Sequence, residues 1–375
     1  MKLKKIKVLH VVRKMDFGGV ERWLLGVAQE LQFSNIQIDI LVHTRDPGVL
    51  DEQLRRVGVN IIPLTGYKNP IKYIIRLYQT LKQHGPYDVV HSHVLYFSGV
   101  VLLAARMAGV AVRISHAHSN RSDIEPKKGL RAFYIKAMKV LVKKFANRYI
   151  AVSQEAHKSL HKGSVHEDKL EILYCGIKHL NNVTIDKNLK KSLGISEAKL
   201  VLGHVGRMSE PKNHKFLLEI FAELKTKVDS VLVLIGDGEL REQIIADINK
   251  RGLKDDVILL GSREDAVDIM ASIFDVIAFP SLYEGLPLTV VEAQAVGIPI
   301  IVSQNITKEA EFDNELVDYL PLTSSAQLWA DAILNLTPPN KRGLKFDKFS
   351  TTDFYLPNHI QKLKHIYDGN INDTK

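Results

Sequence analysis

Ser281-Leu-Tyr-Glu284-Gly-Leu-Pro-Leu-Thr-Val-Val-Glu292-Ala-Gln-Ala-Val-Gly297-Ile-Pro299 follows an apolar run, Phe274-Asp-Val-Ile-Ala-Phe-Pro280, and the fold is decided by how these residues are read. The run is short and β-branched, which predicts a buried parallel strand. The residues after it predict a helix over 288–296, with Pro287 at the first helical position and Gly297 as the C-terminal cap. Glu284 then lies in a strand-to-helix loop and Glu292 a turn into the helix. In open α/β sheets that loop, at the carboxyl end of a strand, is where ligands bind. The helix N-terminus favours an anion such as phosphate, and Glu292 is placed to accept hydrogen bonds from a ribose diol. By itself the same spacing also fits a capping acid at 284 and a solvated charge at 292.

Outward from this stretch, strands alternate with helices. In the first half, 6–12, 36–42, 88–91, 113–116 and 148–152 read as strands, with a helix over about 20–31 and a further element over 50–57. In the second half, 200–206, 231–235, 257–260, 274–279 and 298–302 read as strands. The alternation predicts an α/β protein of two doubly wound, Rossmann-like parallel-sheet domains facing a cleft. After Ile177 a polar segment, Lys178-His-Leu-Asn-Asn-Val-Thr184, reads as a linker, Pro338-Pro339 interrupts the second series, and 356–367 reads as a final helix. The expected domains are 1–180 and 181–345, with 346–375 as a closing helical segment.

At 375 residues the chain has room for two full cores. Its single cysteine, Cys175, excludes an intramolecular disulfide and suits a reducing compartment. The basic start resembles that of a signal peptide, but Lys7, His10 and Arg13 interrupt its apolar core, so it reads as the first strand. No apolar run approaches the ~20 residues that span a bilayer. These features predict a cytoplasmic protein. Residues 1–178 carry 29 Lys and Arg against 14 Asp and Glu, whereas the remainder carries 22 against 28. A basic half suits nucleic acid, an anionic membrane or a phosphorylated substrate.

Several smaller features bear on chemistry. Gly18-Gly19 follows the first strand and lets backbone approach a phosphate or sugar, yet the spacing is not that of a dinucleotide fingerprint. Arg207 and Lys212 follow the first strand of the second half; a planar fork and a point charge suit a diphosphate held without a metal. His91/His93 and His116/His118 each place two imidazoles on one face of a strand end. Neither pair has a third ligand nearby in sequence, so no metal is expected. Asp237-Gly-Glu239 reads as a turn followed by a helix N-cap. Residues 127–148 carry eight basic residues and no acid, with Leu130, Phe133, Tyr134, Met138, Leu141, Val142 and Phe145 at helical spacing. Such a helix either packs in a domain or lies on an anionic membrane, and the membrane reading is preferred.

The E-x7-E spacing of Glu284 and Glu292, with Glu-Gly-Leu-Pro between them, resembles the signature of retaining glycosyltransferases of family four, particularly the exopolysaccharide and capsule branch. Gly206-Arg207-Met-Ser-Glu-Pro-Lys212-Asn213-His214, Leu234-Ile-Gly236-Asp-Gly238-Glu239 and Gly18-Gly19-Val-Glu21 extend the resemblance over most of the chain. It implies the GT-B fold, with the last helix packing back on the first domain. It also implies same-face transfer of a hexose from a nucleotide sugar, UDP-linked, with no cofactor or metal. Arg207 and Lys212 would hold the donor diphosphate, together with the helix start at Pro287 and Leu288. Glu284, Gly285 and Leu286 would orient the sugar, Glu292 would hold the ribose, and Arg263, in Gly261-Ser-Arg263, would lie by the base. Gly18 and Gly19 would face the donor phosphate and acceptor, with Glu21 nearby. A histidine after the strand at 112–115 would contact the sugar: His118 is preferred and His116 supports the loop. The implied acceptor is a saccharide, lipid-linked through polyprenyl diphosphate, met at the inner membrane face through the basic first domain; nucleic acid is not a partner. Two departures affect the acceptor side: Cys175-Gly176-Ile177 replaces the common Asn-Gly-Ile, and either Glu309 or Glu311 fills the acidic position after Gly297-Ile-Pro299. Rival readings are a sugar-nucleotide epimerase, a phosphorylase with a pyridoxal lysine, and an exported two-domain solute-binding protein.

Overall fold

The computed structural model describes residues 5–16, 18–119, 128–161, 169–177, 180, 183–336 and 344–372. The chain forms two compact units, Met1–Ile177 with Asp353–Lys375, and Lys178–Thr352. Most of the expected linker, and Pro338-Pro339, lie outside the described residues.

Among the described residues the first unit has seven strands: β1 (Ile6–Val12), β2 (Ile36–Val42), β3 (Asn60–Pro63), β4 (Val89–Ser92), β5 (Val112–Ala117), β6 (Arg148–Ala151) and β7 (Leu170–Ile172). All are parallel, in the order β3-β2-β1-β4-β5-β6-β7. The order reverses between β1 and β4, which places the ligand-binding switch point at their carboxyl ends. Helices α1 (Gly19–Leu31), α2 (Asp51–Arg56), α3 (Pro70–His84), α4 (Ser98–Met107), α5 (Leu130–Phe145) and α6 (Gln154–His161) make the connections. β1 and β2 are almost continuously apolar, and six of seven residues in each are buried, as a sheet covered on both faces requires.

α5 corrects part of the membrane reading. Its Met138 and Val142, with Ile135, are buried, and Leu141 and Phe145 pack against the same core. A side chain at Gly99 of α4 would meet Leu141 Cβ and the Met138 carbonyl at 2.7 Å, so the two helices touch there. Apolar groups stay outside in the first turn and at Val140: Leu130 is 91% exposed, Phe133 73% and Val140 56%.

The second unit has β8 (Leu200–Val205), β9 (Ser230–Ile235), β10 (Val257–Gly261), β11 (Val276–Phe279), β12 (Ile300–Ser303) and β13 (Val317–Leu320), parallel in the order β10-β9-β8-β11-β12-β13. Its switch point lies between β8 and β11. Its helices are α7 (Leu189–Ser192), α8 (His214–Lys225), α9 (Arg241–Lys250), α10 (Ala266–Ile273), α11 (Leu288–Ala295), α12 (Ala326–Asn335) and α13 (Phe346–Ser350). The last helix, α14 (Leu356–Asn372), belongs to the first unit, where it packs on α1. Gly176, the residue that Cys175-Gly176-Ile177 shares with the common Asn-Gly-Ile, admits the helix: a Cβ there would lie 2.8 Å from His359 Cβ and from Leu356. Ile177 pairs with Tyr355 beside it.

Candidate functional site

In the second unit, the loops after β8 and β11 leave adjacent strands at the switch point, and their side chains meet. Lys212 Nζ lies 2.6 Å from Glu284 Oε1 and 4.5 Å above the centre of the Phe279 ring. Both charged side chains are largely covered, at 16% and 17% exposure. The lysine is aimed by its neighbours. Asn213 adopts φ 54°, ψ 46°, a left-handed conformation that asparagine tolerates, and donates from Nδ2 to the Pro280 carbonyl at 3.1 Å. Leu282 N donates to the Pro211 carbonyl at 2.8 Å, tying the same two loops again. Gly206 leaves room for the lysine stem, which a Cβ would approach to 3.0 Å.

The helix after Glu284 departs from its sequence reading in two respects. α11 begins at Leu288, so Pro287 is the residue before the helix and not its first residue, and neither it nor Glu284 caps the helix with a side chain. Glu292 is buried at 5% exposure, because α11 is covered all round; it is not a solvated charge. Gly297, with φ 76°, follows the cap residue Val296. Gln294 fixes the segment carrying Glu309 and Glu311: Nε2 donates to the Ala310 carbonyl, while Oε1 accepts from the Phe312 and Asp313 amides, all at 2.8 Å.

Arg207 stands apart from the Lys212–Glu284 pair. It is 69% exposed and its Nε lies 3.2 Å from Glu239 Oε2. This corrects the Asp237-Gly-Glu239 reading: the residue before α9 is Leu240, no side chain caps that helix, and Glu239 instead faces the arginine. Arg263 makes a two-pronged pair with Asp265, at 2.7 and 2.6 Å, after the left-handed Gly261. Gly285 and Leu286 lie in the loop between Glu284 and α11, with Leu286 at 9% exposure.

In the first unit, Gly18 precedes α1 in extended conformation, and a Cβ on it would fall 2.1 Å from Glu21 Oε2. The glycine therefore accommodates the carboxylate of its own helix, with Gly19 opening that helix. Both histidine pairs gain partners that lie far away in sequence. β1, β4 and β5 are neighbours, and the register sets His10 directly beside His91. Six residues join in one hydrogen-bonded series: His118 Nε2 to His93 Nδ1 (2.8 Å), His93 Nε2 to His10 Nδ1 (2.9 Å), His10 Nε2 to the Tyr367 hydroxyl (3.3 Å), that hydroxyl to His91 Nδ1 (2.9 Å), and His91 Nε2 to His116 Nδ1 (3.0 Å). Trp23 lies edge-on over the row and donates to His359 Nε2 at 2.8 Å. Burial, and then neighbouring imidazoles, hold His91, His93 and His116 well below the ordinary imidazole range; His118 is pushed down to about 3 by burial and His10. These rings are neutral at neutral pH. His10, Trp23, His359 and Tyr367 carried no sequence signal, since only the strand order and the return of α14 unite them.

Beside this row is a cavity of about 600 Å³ within the first unit, in the size range of small-molecule sites. Tyr67, Phe97 and Tyr134 supply aromatic walls, Arg13 and Lys68 positive charge, and Glu21 a carboxylate. Leu95, at its wall, has φ 49°, a strained conformation for a branched residue of the kind that collects at ligand sites.

His204 and His214 of the second unit yield a pH prediction. His204 donates from Nδ1 to the Ala278 carbonyl at 2.9 Å, and its ring lies 4.9 Å from that of His214. Burial, then His214, holds His204 well below 6.5, and burial, then Lys212, lowers His214 to about 4. Above pH 6.5 neither folded nor unfolded imidazole is protonated and the stability is full. Below it the unfolded chain takes up protons that the folded chain refuses, so each ring removes about 1.4 kcal/mol of stability per pH unit, down to its folded pKa. Denaturant midpoints should therefore fall as pH drops from about 6.5 towards 4, and His214→Gln should flatten the decline. An unchanged slope in that variant would count against the burial argument.

Comparison with known proteins adds to this geometry. A family model described as Glycosyltransferase Family 4 matches residues 17–179, and one described as Glycosyl transferases group 1 matches residues 185–338. A Bacillus subtilis (strain 168) protein named as a glycosyltransferase, EpsF, is 32% identical over 374 residues, covering 96% of each chain. An Escherichia coli UDP-Gal:alpha-D-GlcNAc-diphosphoundecaprenol alpha-1,3-galactosyltransferase is 29% identical over 393 residues, covering 97% of each. Among solved structures, Anabaena Alr3699/HepE in complex with UDP and glucose is similar with a TM-score of 0.79 and 19% identity, over 97% of this chain and 100% of that one.

Proposed function

Because the chain belongs to glycosyltransferase family 4, matched through both halves and over 96% of its length, we propose that it moves a hexose from a UDP-sugar to a lipid-linked saccharide, with retention and without a metal, in building an exopolysaccharide or capsule. The observation that carries this reading is the ion pair of Lys212 and Glu284 across the β8–β11 switch point. A largely covered ammonium there can neutralise a departing diphosphate as the glycosidic bond stretches, and the uncapped start of α11 adds backbone N–H groups. Glu284, released from the lysine as the diphosphate takes its place, accepts hydrogen bonds from sugar hydroxyls, and Gly285 and Leu286 orient the ring. The buried carboxylate of Glu292 holds the ribose, and the loop of Arg263 lies by the base. Arg207, exposed and able to leave Glu239, supplies a second cation. No covalent nucleophile is assigned: the acceptor hydroxyl attacks from the face that the diphosphate leaves and gives its proton to a phosphate oxygen.

The first unit takes the acceptor. Tyr67, Phe97 and Tyr134 offer faces for a sugar ring, and Arg13 and Lys68 offer charge for the lipid diphosphate. His118 supplies the donor-sugar contact that the family assigns to this strand end, with His116 behind it. Ile71 and Ile75 of α3 and Leu130 and Phe133 of α5 are exposed on the two helices whose ends reach the cavity, among Lys72, Lys128 and Arg131. Such a surface suits an anionic bilayer from which a lipid-linked acceptor is drawn. Among the described residues no helix is long and apolar enough to cross a membrane.

A panel of nucleotide sugars with undecaprenyl-diphosphate saccharides in anionic vesicles tests this directly. The expected product keeps the donor's anomeric configuration, forms in the presence of a chelator, and forms more slowly with Leu130→Asp and Phe133→Asp. An inverted product, or absence of both transfer and donor hydrolysis across the panel, would overturn it.

A further inference from the structure

We infer that His93, His116 and His118 form a binding site for a first-row divalent transition-metal ion such as zinc. One ring nitrogen from each lies within 4.8 Å of the others, and the rings of His116 and His118 are 3.8 Å apart. His116 is 1% exposed and its Nε2 has no hydrogen-bond partner among the described residues. His118 is only half-buried, which leaves an approach from solvent. A set of three imidazoles with no carboxylate selects zinc, cobalt, nickel or copper over magnesium or calcium. Three protein ligands also leave a tetrahedral ion one open position.

The hydrogen-bonded series supplies the outer support that such ligands require. With the ion on His116 Nε2, the His116 Nδ1–H donates to His91 and the His91 Nδ1–H to Tyr367. With the ion on His93 Nδ1, the His93 Nε2–H donates to His10 and the His10 Nε2–H to Tyr367. Both branches end on one hydroxyl oxygen, which has two lone pairs to accept them, and it lies 2.9 and 3.3 Å from the two nitrogens. The ion replaces the single hydrogen bond between His93 and His118, whose nitrogens move from 2.8 Å to the separation set by zinc–nitrogen bonds of ~2.0–2.1 Å. No proton is released in this exchange, because each neutral ring keeps one. A second triad, His10, His91 and His93, is wholly buried, and each of its ring nitrogens is already bonded to another member, to Tyr367, to His116 or to His118.

The site does not rest on the transfer reaction proposed above, and binding is read without turnover. The full chain, free of any affinity tag and stripped of metal, is titrated with Co²⁺. The expected result is one ion per chain, a visible ligand-field band of tetrahedral intensity, and loss of fluorescence from Trp23, whose ring is 5.5 Å from His93 and His116. His118→Ala, at a half-buried position, should abolish the band while circular dichroism stays that of the parent. Tyr367→Phe, which removes no ligand, should weaken binding roughly 10–100-fold. Absence of the band in the parent chain, or its persistence in folded His118→Ala, overturns the proposal.

Discussion

Lys212→Ala should lower kcat/KM by about 10²–10³-fold, the usual loss when one preorganised donor is removed from a developing anion. The change removes the cation and also leaves Glu284, 17% exposed and 2.6 Å from the missing ammonium, facing an incoming diphosphate with like charge. Both terms act in the same direction, so this variant should be worse than Arg207→Ala. The arginine is 69% exposed and already paired with Glu239, and its loss should cost about tenfold by the usual worth of a charged hydrogen bond. Glu284→Ala should also lower transfer, and the double variant should fall short of the product of the two single losses, because the pair acts as a unit. Steady-state kinetics with the identified donor decide the matter. A Lys212→Ala enzyme within threefold of the parent, or an Arg207→Ala enzyme that is the more impaired, would defeat the assignment of the lysine to the leaving group.

Gly236→Ala should be the most damaging single methyl addition in the second unit. Gly236 follows β9 with φ 140°, a conformation open essentially to glycine alone, and a Cβ there would sit 2.0 Å from the Gly206 carbonyl oxygen. The obstacle is backbone, so no rotamer change relieves it. Its own N–H donates to the Gly261 carbonyl at 2.8 Å, so the residue joins the ends of β8, β9 and β10, the strands that launch Arg207, Glu239 and Arg263. Strain and overpacking together should destabilise the unit by about 3 kcal/mol or more. A displacement of about 1 Å passed to the Arg207 loop is enough for a roughly 100-fold loss of rate in molecules that remain folded. Thermal unfolding and transfer should be measured on the same preparation; unchanged values for both would contradict the described loop packing.

What the sequence made legible follows from where its signal is strong. The central strands β1, β2, β8 and β9 are runs of β-branched and aliphatic residues buried on both faces, and they stand out by composition alone. β3, β7 and β13, at or next to the sheet edges, are only three or four residues long and partly exposed, and escaped notice because half of such a strand faces water. The Lys212–Glu284 pair was readable as two members of one site because each follows a strand directly. Their contact depends on β8 lying beside β11, which the order of elements in the chain does not state. The histidines show the same limit more sharply. Two His-x-His pairs were visible, but His10, Trp23, His359 and Tyr367 join them only through parallel register and a helix that returns from the far end of the chain. Asn213 stood within a legible motif, yet its task of aiming Lys212 through Pro280 emerges only from its left-handed backbone.

The discontinuity of the first unit bears on how the protein matures during synthesis. Its sheet is complete in sequence by Ile172, but Trp23 and His91 must wait for His359 and Tyr367, which leave the ribosome only after the intervening unit has been made. The intervening unit, Lys178–Thr352, is contiguous and can consolidate as soon as it emerges. The earlier-made half thus spends most of translation with apolar surface uncovered beside α1, a period in which chaperone capture and a premature stop codon would have their greatest effect.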